Sequence, residues 1–314
     1  MADDLAPSTW RVACVVPTFN GRAELERLLA SLEGQTLAHD LIVVDSSSTD
    51  GTAEIGHHAA DVFIGIDQRS FNHGATRQMA IDRLPDHDLI IFMTQDAELA
   101  ASDSLARLVA PFVDPDVAAV CGRQLPHHDA NSLAAHARLF NYPPETRVAS
   151  AAKLSEMGIR AAFISNSFAA YRRAALMEVG GFPDDVILAE DMHLAARLLL
   201  SEHKIVYAGD AICRHSHNYG LREEGRRYFD TGVFHARAPW IRGHLGGAGG
   251  QGARYVLSEL RYVGTGRPWR WPASLLRNAV KLAAFQIGLR ERFLPVRLKR
   301  RLSLHRRFWD SDRP

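Results

Sequence analysis

Acidic residues stand at three widely separated places where chemistry could be done: Asp45, Asp96 and the pair Glu190-Asp191. Asp96 follows residues 89–94, LIIFMT, a continuous apolar run that reads as a strand buried on both faces of a parallel sheet. A carboxylate just past the carboxyl end of such a strand lies where open α/β sheets bind ligands. It can hold a divalent cation against a phosphate, or simply cap the next element. Asp45 ends a second apolar run, residues 41–44. It could accept hydrogen bonds from a ribose hydroxyl or a base N–H, or start the polar loop SSSTDG. Glu190-Asp191 opens a helical pattern carried by Leu194, Leu198 and Leu199. There the pair either complements the helix dipole, worth about 0.3–1 kcal/mol, or supplies a general base at the mouth of a pocket. Adjacent residues at a helix start point different ways, so one serves chemistry and the other structure. Arg77, in the first helical turn behind the loop FNHG, suits an anionic ligand. In RHSHNY an extended backbone puts His215 and His217 on one face, where one imidazole could reach a metal, although loop histidines are commonly incidental.

These residues need a scaffold. Residues 11–16 form a first strand that Pro17 should end. A polar turn at 18–21 follows, then a helix over 24–32 on Leu25, Leu28, Leu29 and Leu32, closed by Gly34. With strand 41–44 this is a βαβ unit, which implies a parallel sheet. Further strands are expected at 61–66, 89–94 and 117–120, and helices at 78–84 and 105–112. Gly74 permits a close backbone approach. Residues 126–148 read as a long loop with His127, His128 and paired prolines. A strand of small residues at 164–171 leads to a helix opened by Arg172-Arg173, and two short strands follow at 204–207 and 211–213. No Gly-x-Gly-x-x-Gly follows the first strand and no Walker lysine loop occurs, which excludes the dinucleotide and P-loop solutions.

With 37 basic and 36 acidic residues the net charge is +1, which leaves no global case for nucleic acid. After Gly220, however, the charge is mostly Arg and Lys, which points to a polyanionic or membrane-surface partner there. Cys14, Cys121 and Cys213 are odd in number and far apart, so buried free thiols are expected. The first ten residues lack the apolar core of a signal peptide, and no run reaches the ~18 apolar residues of a spanning helix. A soluble, cytoplasmic chain is therefore expected, as a flexible N-terminus (1–10), a catalytic domain (11–240) and a C-terminal region (241–314). That last region begins with a glycine-rich hinge at 243–252. Trp240, Trp269 and Trp271 lie near Arg242, Arg267 and Arg270, a mixture suited to a membrane interface. Basic, helical residues 273–309, interrupted by Pro295, could lie on an anionic leaflet at ~1 kcal/mol per cation. The alternative is a solvated helical pair packed on the catalytic domain or in a homodimer interface.

Six segments in order, VVPTFN (15–20), LIVVDSSSTDGT (41–52), FNHGATRQ (71–78), TQDAEL (94–99), NSFAAYRR (166–173) and AEDMHLAARL (189–198), resemble the inverting glycosyltransferases of family 2. Their fold is the α/β nucleotide-diphospho-sugar transferase (GT-A) fold, a mostly parallel central sheet flanked by helices, here with a helical C-terminal extension. FNHGATR, TQDA and HSHNY look more particularly like bacterial rhamnosyltransferases, which use dTDP-L-rhamnose to build O-antigen, capsule or cell-wall polysaccharide. The resemblance implies a nucleotide site at Pro17, Thr18, Phe19, Asn20, Asp45, Ser47, Arg77 and Gln95. It implies Mg2+ or Mn2+ on Asp96, His215 and His217. Asp191 would be the catalytic base with Glu190 beside it, and Asn166, Ser167 and His73 would meet the donor or acceptor sugar. The family's metal motif is Asp-x-Asp, and here Thr94 takes its first acidic place, leaving one carboxylate. The implied partners are a nucleotide-sugar donor and a saccharide or polyprenyl-linked acceptor, reached from the inner face of the cytoplasmic membrane. Transfer from UDP- or GDP-sugars, a nucleotidyltransferase and a non-catalytic scaffold remain as alternatives; PTFNGRAE lacks the lysine expected of the nucleotidyltransferase.

Overall fold

The computed structural model describes residues 10–265 and 268–310; the expected flexible start, over residues 1–9, and Arg267 lie outside the described residues. Apolar runs and short helices alternate through the first half: β1 (Val12–Thr18), α1 (Arg22–Glu33), β2 (Asp40–Asp45), α2 (Thr52–Ala59), β3 (Val62–Gly65), α3 (His73–Asp82) and β4 (Leu89–Met93). β1, β2, β3 and β4 pair in parallel. β4 is buried at every position, which is why its sequence shows no alternation. Next come β5 (Glu98–Leu99), α4 (Ser104–Val109), β6 (Val117–Leu125), α5 (Ser132–Asn141), β7 (Arg147–Ala149), α6 (Leu154–Met157), β8 (Phe168–Arg172), α7 (Arg173–Glu178), α8 (Glu190–Leu200) and β9 (Lys204–Arg214). Among the described residues one sheet runs β3-β2-β1-β4-β8-β6-β9-β5, with β7 on β9. β8 lies antiparallel to both β4 and β6.

Two apolar layers sandwich this sheet. Leu25, Leu28, Leu105 and Leu108 cover one face. Ile81, Leu194, Leu198, Phe229, Phe234 and Trp309 cover the other. Cys14, Cys121 and Cys213 are free and buried, as expected.

Several local expectations are corrected. β1 continues through Pro17 to Thr18. The Thr18 carbonyl accepts from Ser46 N on the β2 side, so the donor missing at Pro17 falls on the other side, where the β4 ladder has ended at Val15. α3 starts at His73 rather than 78, because the Asn72 side chain accepts from the Gly74 and Ala75 amides. That places Arg77 in the second turn. α5 forms inside the segment read as a loop, capped in the same way by Asn131. The two short strands at 204–207 and 211–213 are one strand, bulged where pairing passes from Gly122 to Arg123.

The chain continues through α9 (Leu221–Arg237), α10 (Pro239–Leu245), α11 (Gln251–Gly264), α12 (Trp271–Gly288) and α13 (Val296–Leu302). Half of the supposed glycine hinge is therefore helix, and residues 246–250 are loop. α9 and α12 cross at Gly232 and Gly288, where a Cβ on Gly232 would lie 2.9 Å from the Gly288 Cα. At the end of the chain Trp309 is 2% exposed, its ring packed 6.3 Å from Phe229. Asp230 accepts from the Leu304 and His305 amides. The C-terminal segment thus shares the core of the catalytic layer.

Candidate active site

Sheet order brings the singled-out residues together. Asp45 ends β2, Thr18 ends β1, Asp96 follows β4, Asn166 precedes the antiparallel β8, and His215 follows β9, so all lie along one edge. β5 does the longest-range work: Glu98 pairs with Arg214 and Leu99 with Cys213. This hydrogen-bonded step draws the 94–97 turn past the ends of β8 and β6 onto His215.

At one end the nucleotide candidates form a braced pair of loops. Asp45 is 2% exposed and accepts from Thr18 Oγ1 at 2.9 Å, Ser48 N at 2.8 Å and Ser48 Oγ at 2.6 Å. A carboxylate offers about four lone-pair sites, so most of Asp45 is committed to shaping the loop. Gln95 clamps Phe19 from both sides, accepting from its amide at 2.8 Å and donating to its carbonyl at 3.1 Å. A Cβ on Gly21 would collide with that Gln95 amide. Phe19 itself is 40% exposed, a ring presented for stacking. Asn20 and Ser47 carry φ of 42° and 61°. Ala189, just before the acidic pair, has φ of 59°. Three of the four non-glycine residues with positive φ among the described residues thus flank this edge, each at a cost of order 1–3 kcal/mol. Asn20 Oδ1 accepts from Thr49 N, and Ser47 Oγ donates to the Ile66 carbonyl.

In the middle, one ligand atom each from Asp96, His215 and His217 lies within 4.8 Å of the other two. Asp96 Oδ2 is 3.4 Å from His215 Nε2 and 3.5 Å from His217 Nδ1. Burial alone would raise the Asp96 pKa, but the hydrogen bond and charge of His215, with His217 beside it, outweigh this and hold it below the ordinary range. Burial lowers both imidazoles, and the charge of His215 lowers His217 further. An ionised carboxylate beside two neutral imidazoles is the protonation state that binds a divalent cation. The donor set fits the implied metal, and its nitrogens suit Mn2+ better than Mg2+.

The sequence reading missed the residues that aim this cluster. Gln124, fully buried at the end of β6, accepts from Arg138 Nη1 at 2.7 Å through the oxygen that His215 Nδ1 meets at 2.9 Å. Arginine only donates, so that atom must be the amide oxygen, and His215 must carry its proton on Nδ1. A second proton, on Nε2, lets His215 donate to Asp96, and a cation bound between them would take that proton's place. Gln124 Nε2 has no partner, the cost of fixing this orientation. His127 Nε2 meets the Asp96 carbonyl at 2.9 Å. A polar residue closing the apolar run VAAVCGRQ was the available signal for Gln124.

The two adjacent carboxylates at the start of α8 stand in different surroundings. Glu190 is 5% exposed and meets Arg77 Nη1 at 2.9 Å and Asn166 Nδ2 at 3.0 Å. Burial opposes its charge, but Arg77, His73 and Asn166 together keep its pKa below the ordinary value. Asp191 is half-buried and accepts from Asn166 N at 3.2 Å and Met192 N at 2.7 Å. Its pKa is raised, first by burial and then by the negative charge of Glu190. A raised carboxylate is a better proton acceptor near neutrality.

Three placements differ from expectation. Arg77, read as a nucleotide ligand, spends its guanidinium on Glu190 and on the His73 carbonyl. Asn166, read as a sugar contact, is committed to Glu190 and to the Tyr171 hydroxyl at 2.8 Å. His73 stacks edge-on against Phe71 and against His305 of the C-terminal segment, with ring centroids 5.0 and 5.1 Å away. Ser167, also read as a sugar contact, is 9% exposed just before β8.

Comparison with known proteins agrees with this geometry. The profile of glycosyl transferase family 2 matches residues 13–180. The chain is 45% identical over 303 residues to the O-antigen chain rhamnosyltransferase RfbN of Salmonella typhimurium, covering 96% of each chain. It is 44% identical over 299 residues to the O-antigen chain rhamnosyltransferase WbaN of Salmonella anatum, covering 95% of each. Among solved structures, the mannosyltransferase PcManGT of Pyrobaculum calidifontis, in complex with GDP-Man and Mn2+, superposes with a TM-score of 0.56. That match is 23% identical and covers 98% of this chain and 88% of that one, so it speaks for the GT-A fold.

Proposed function

The chain belongs to glycosyl transferase family 2, and from that premise we propose that it moves L-rhamnose from dTDP-L-rhamnose onto a saccharide hydroxyl in O-antigen synthesis, with inversion. The observation that carries the chemistry is the pairing of Glu190 with Arg77 while Asp191 is left with backbone partners, on the sheet edge that also holds a carboxylate–imidazole cluster. Likeness to two O-antigen rhamnosyltransferases over nearly the whole chain supports the sugar and the pathway class.

Asp191 takes the proton of the acceptor hydroxyl, which is a weak nucleophile until deprotonated. Glu190, held ionised by Arg77, keeps the Asp191 carboxylate basic. Asn166 fixes both acids from one residue, through its amide N–H to Asp191 and its side chain to Glu190. Phe19 and the loop organised by Asp45 take the base and ribose. Mn2+ or Mg2+ held by Asp96, His215 and His217 would neutralise charge on the departing diphosphate. Thr94 removes one carboxylate from the usual metal motif, and the two histidines would replace it as ligands.

Membrane contact belongs to this proposal. No helix among the described residues is long and apolar enough to cross a membrane. Trp269, Trp271, Leu275, Leu276, Leu282 and Phe293 are nevertheless exposed, in a segment with exposed Arg270, Arg290, Arg292 and Arg297. Such a surface suits the plane of an anionic leaflet that carries a lipid-linked acceptor.

Donor choice is tested by hydrolysis and transfer assays with dTDP-L-rhamnose, UDP-glucose and GDP-mannose, each with Mn2+. The proposal expects dTDP-L-rhamnose to have the highest kcat/KM by at least tenfold. A UDP- or GDP-sugar matching it would replace rhamnose, and turnover of none would favour a scaffold.

A further inference from the structure

Four arginines meet beside the first turns of α9. Arg222 and Arg226 lie one turn apart on that helix, along the face that Asp230 continues. Asp230 Oδ2 accepts from the Leu304 and His305 amides at 2.8 and 3.3 Å, which lays the segment after α13 across this face. Arg301, in the last turn of α13, and Arg306 stand on either side of that contact, and α13 itself packs on α9. Burial lowers the Arg226 pKa, and the charges of Arg222, Arg306 and Arg301 lower it further. Arg222, Arg301 and Arg306 are exposed, and Arg226 is half-buried. The Arg226 Nη2 is shielded from solvent and meets no acceptor. Among the described residues none of the four guanidinium groups makes a hydrogen bond or an ion pair. Neighbouring cations are matched: Arg300 meets Asp310 at 2.6 Å, Arg237 meets Glu291 at 3.1 Å, and Arg307 donates to the Gln68 carbonyl at 2.8 Å. The carboxylate whose charge reaches Arg226 is Asp230, and it is already turned to the two amides.

Like charges one turn apart repel, and a guanidinium nitrogen removed from water without an acceptor is costly. A ligand with several anionic oxygens relieves both at once. Arginine forks match phosphate oxygens bidentately, and one phosphate group can meet several forks together. None of the four arginines belongs to the nucleotide, metal or base residues described above. We propose that Arg222, Arg226, Arg301 and Arg306 form a phosphate-binding site separate from the donor cleft, whose ligand is a phosphate or diphosphate ester. Two sources carry that chemistry: the headgroup of an anionic phospholipid and a soluble phosphate ester. The site stands whatever reaction the cleft performs.

The test titrates inorganic pyrophosphate calorimetrically into full-length protein, in metal-free buffer with excess dTDP to keep the donor cleft occupied. Arg226→Gln and the Arg301→Gln, Arg306→Gln double variant should each bind pyrophosphate at least tenfold more weakly than wild type. The Arg83→Gln, Arg254→Gln double variant removes charge at exposed positions outside the cluster and should stay within twofold. With repulsion relieved, the Arg301→Gln, Arg306→Gln protein should match or exceed the wild-type denaturation midpoint in phosphate-free buffer. A second arm follows co-sedimentation with vesicles of phosphatidylglycerol in phosphatidylcholine. A fivefold loss in both cluster variants would make the source a lipid headgroup; unchanged sedimentation with weakened pyrophosphate binding would make it a soluble phosphate. The Leu276→Glu, Leu282→Glu variant should keep wild-type pyrophosphate affinity, which separates failure of the leaflet reading from failure of this site. Cluster variants equal to wild type in both arms would overturn the proposal. So would an equal loss in the Arg83→Gln, Arg254→Gln control, or a lowered midpoint in the Arg301→Gln, Arg306→Gln protein.

Discussion

Asp191 and Glu190 are neighbours in sequence, yet one is tied to Arg77 and the other is left to accept a proton. Because the Asp191 pKa is raised and only its ionised form can act as base, kcat/KM should fall as pH drops through a value above the ordinary carboxylate range near ~4. Glu190→Gln removes the charge that helps raise it, so this acidic limb should move to lower pH. Breaking the buried pair with Arg77 also costs about 3–5 kcal/mol, so the profile is best taken at low temperature. A limb that stayed in place would separate Glu190 from the base. At the cluster, Gln124→Leu should lower Mn2+ affinity by about 10–100-fold, read by electron paramagnetic resonance, while dTDP affinity measured without metal is unchanged. Unaltered Mn2+ affinity would show that His215 needs no such anchor. Asp45, Asp96 and Asp191 could be singled out in the sequence because each stands where a well-marked apolar run ends or a helical pattern begins. Gln124 and Arg138 were not, because their roles depend on a hydrogen bond between residues of different elements.

Among the elements, the parallel half of the sheet was readable from apolar runs that need no partner to declare them, β1 and β4 above all. What escaped the reading was set by caps and by distant pairing. α5 depends on Asn131 accepting from Leu133 and Ala134, and the long β9 depends on a bulge opposite β6. Gly74 was read as a point of close approach, and the approaching group is the Pro183 carbonyl, 1.6 Å from where a Cβ would stand. Gly74→Ala must push the 183–187 segment away from α3. Overpacking of this kind costs about 1–3 kcal/mol, so the chemical denaturation midpoint should fall. A variant as stable as wild type would mean that this loop yields freely.

Across the whole molecule, the surprise lies in the C-terminal quarter. Its basic character suggested either a surface on an anionic leaflet or a helical pair packed on the catalytic domain or in a homodimer interface, and Trp309 and the Asp230 contacts anchor its end in the catalytic core. Deleting it would expose that core, so membrane binding is better tested by point changes. The Leu276→Glu, Leu282→Glu double variant alters two exposed residues, 58% and 61% accessible. It should keep the wild-type denaturation midpoint, yet co-sediment at least fivefold less with vesicles rich in phosphatidylglycerol. Wild-type binding should weaken with added salt, as screening requires. Equal sedimentation of the two proteins would leave this surface to another partner.

The most direct measurement is calorimetric titration of dTDP, with and without Mn2+, into wild type, Asp96→Ala and Asp191→Asn, with dTDP-L-rhamnose turnover followed in parallel. The account predicts metal-dependent binding in wild type, loss of the metal effect in Asp96→Ala, and in Asp191→Asn binding within twofold of wild type with turnover down by about 10²–10⁴. Wild-type turnover in Asp191→Asn, or Mn2+-assisted binding that survives in Asp96→Ala, would contradict it.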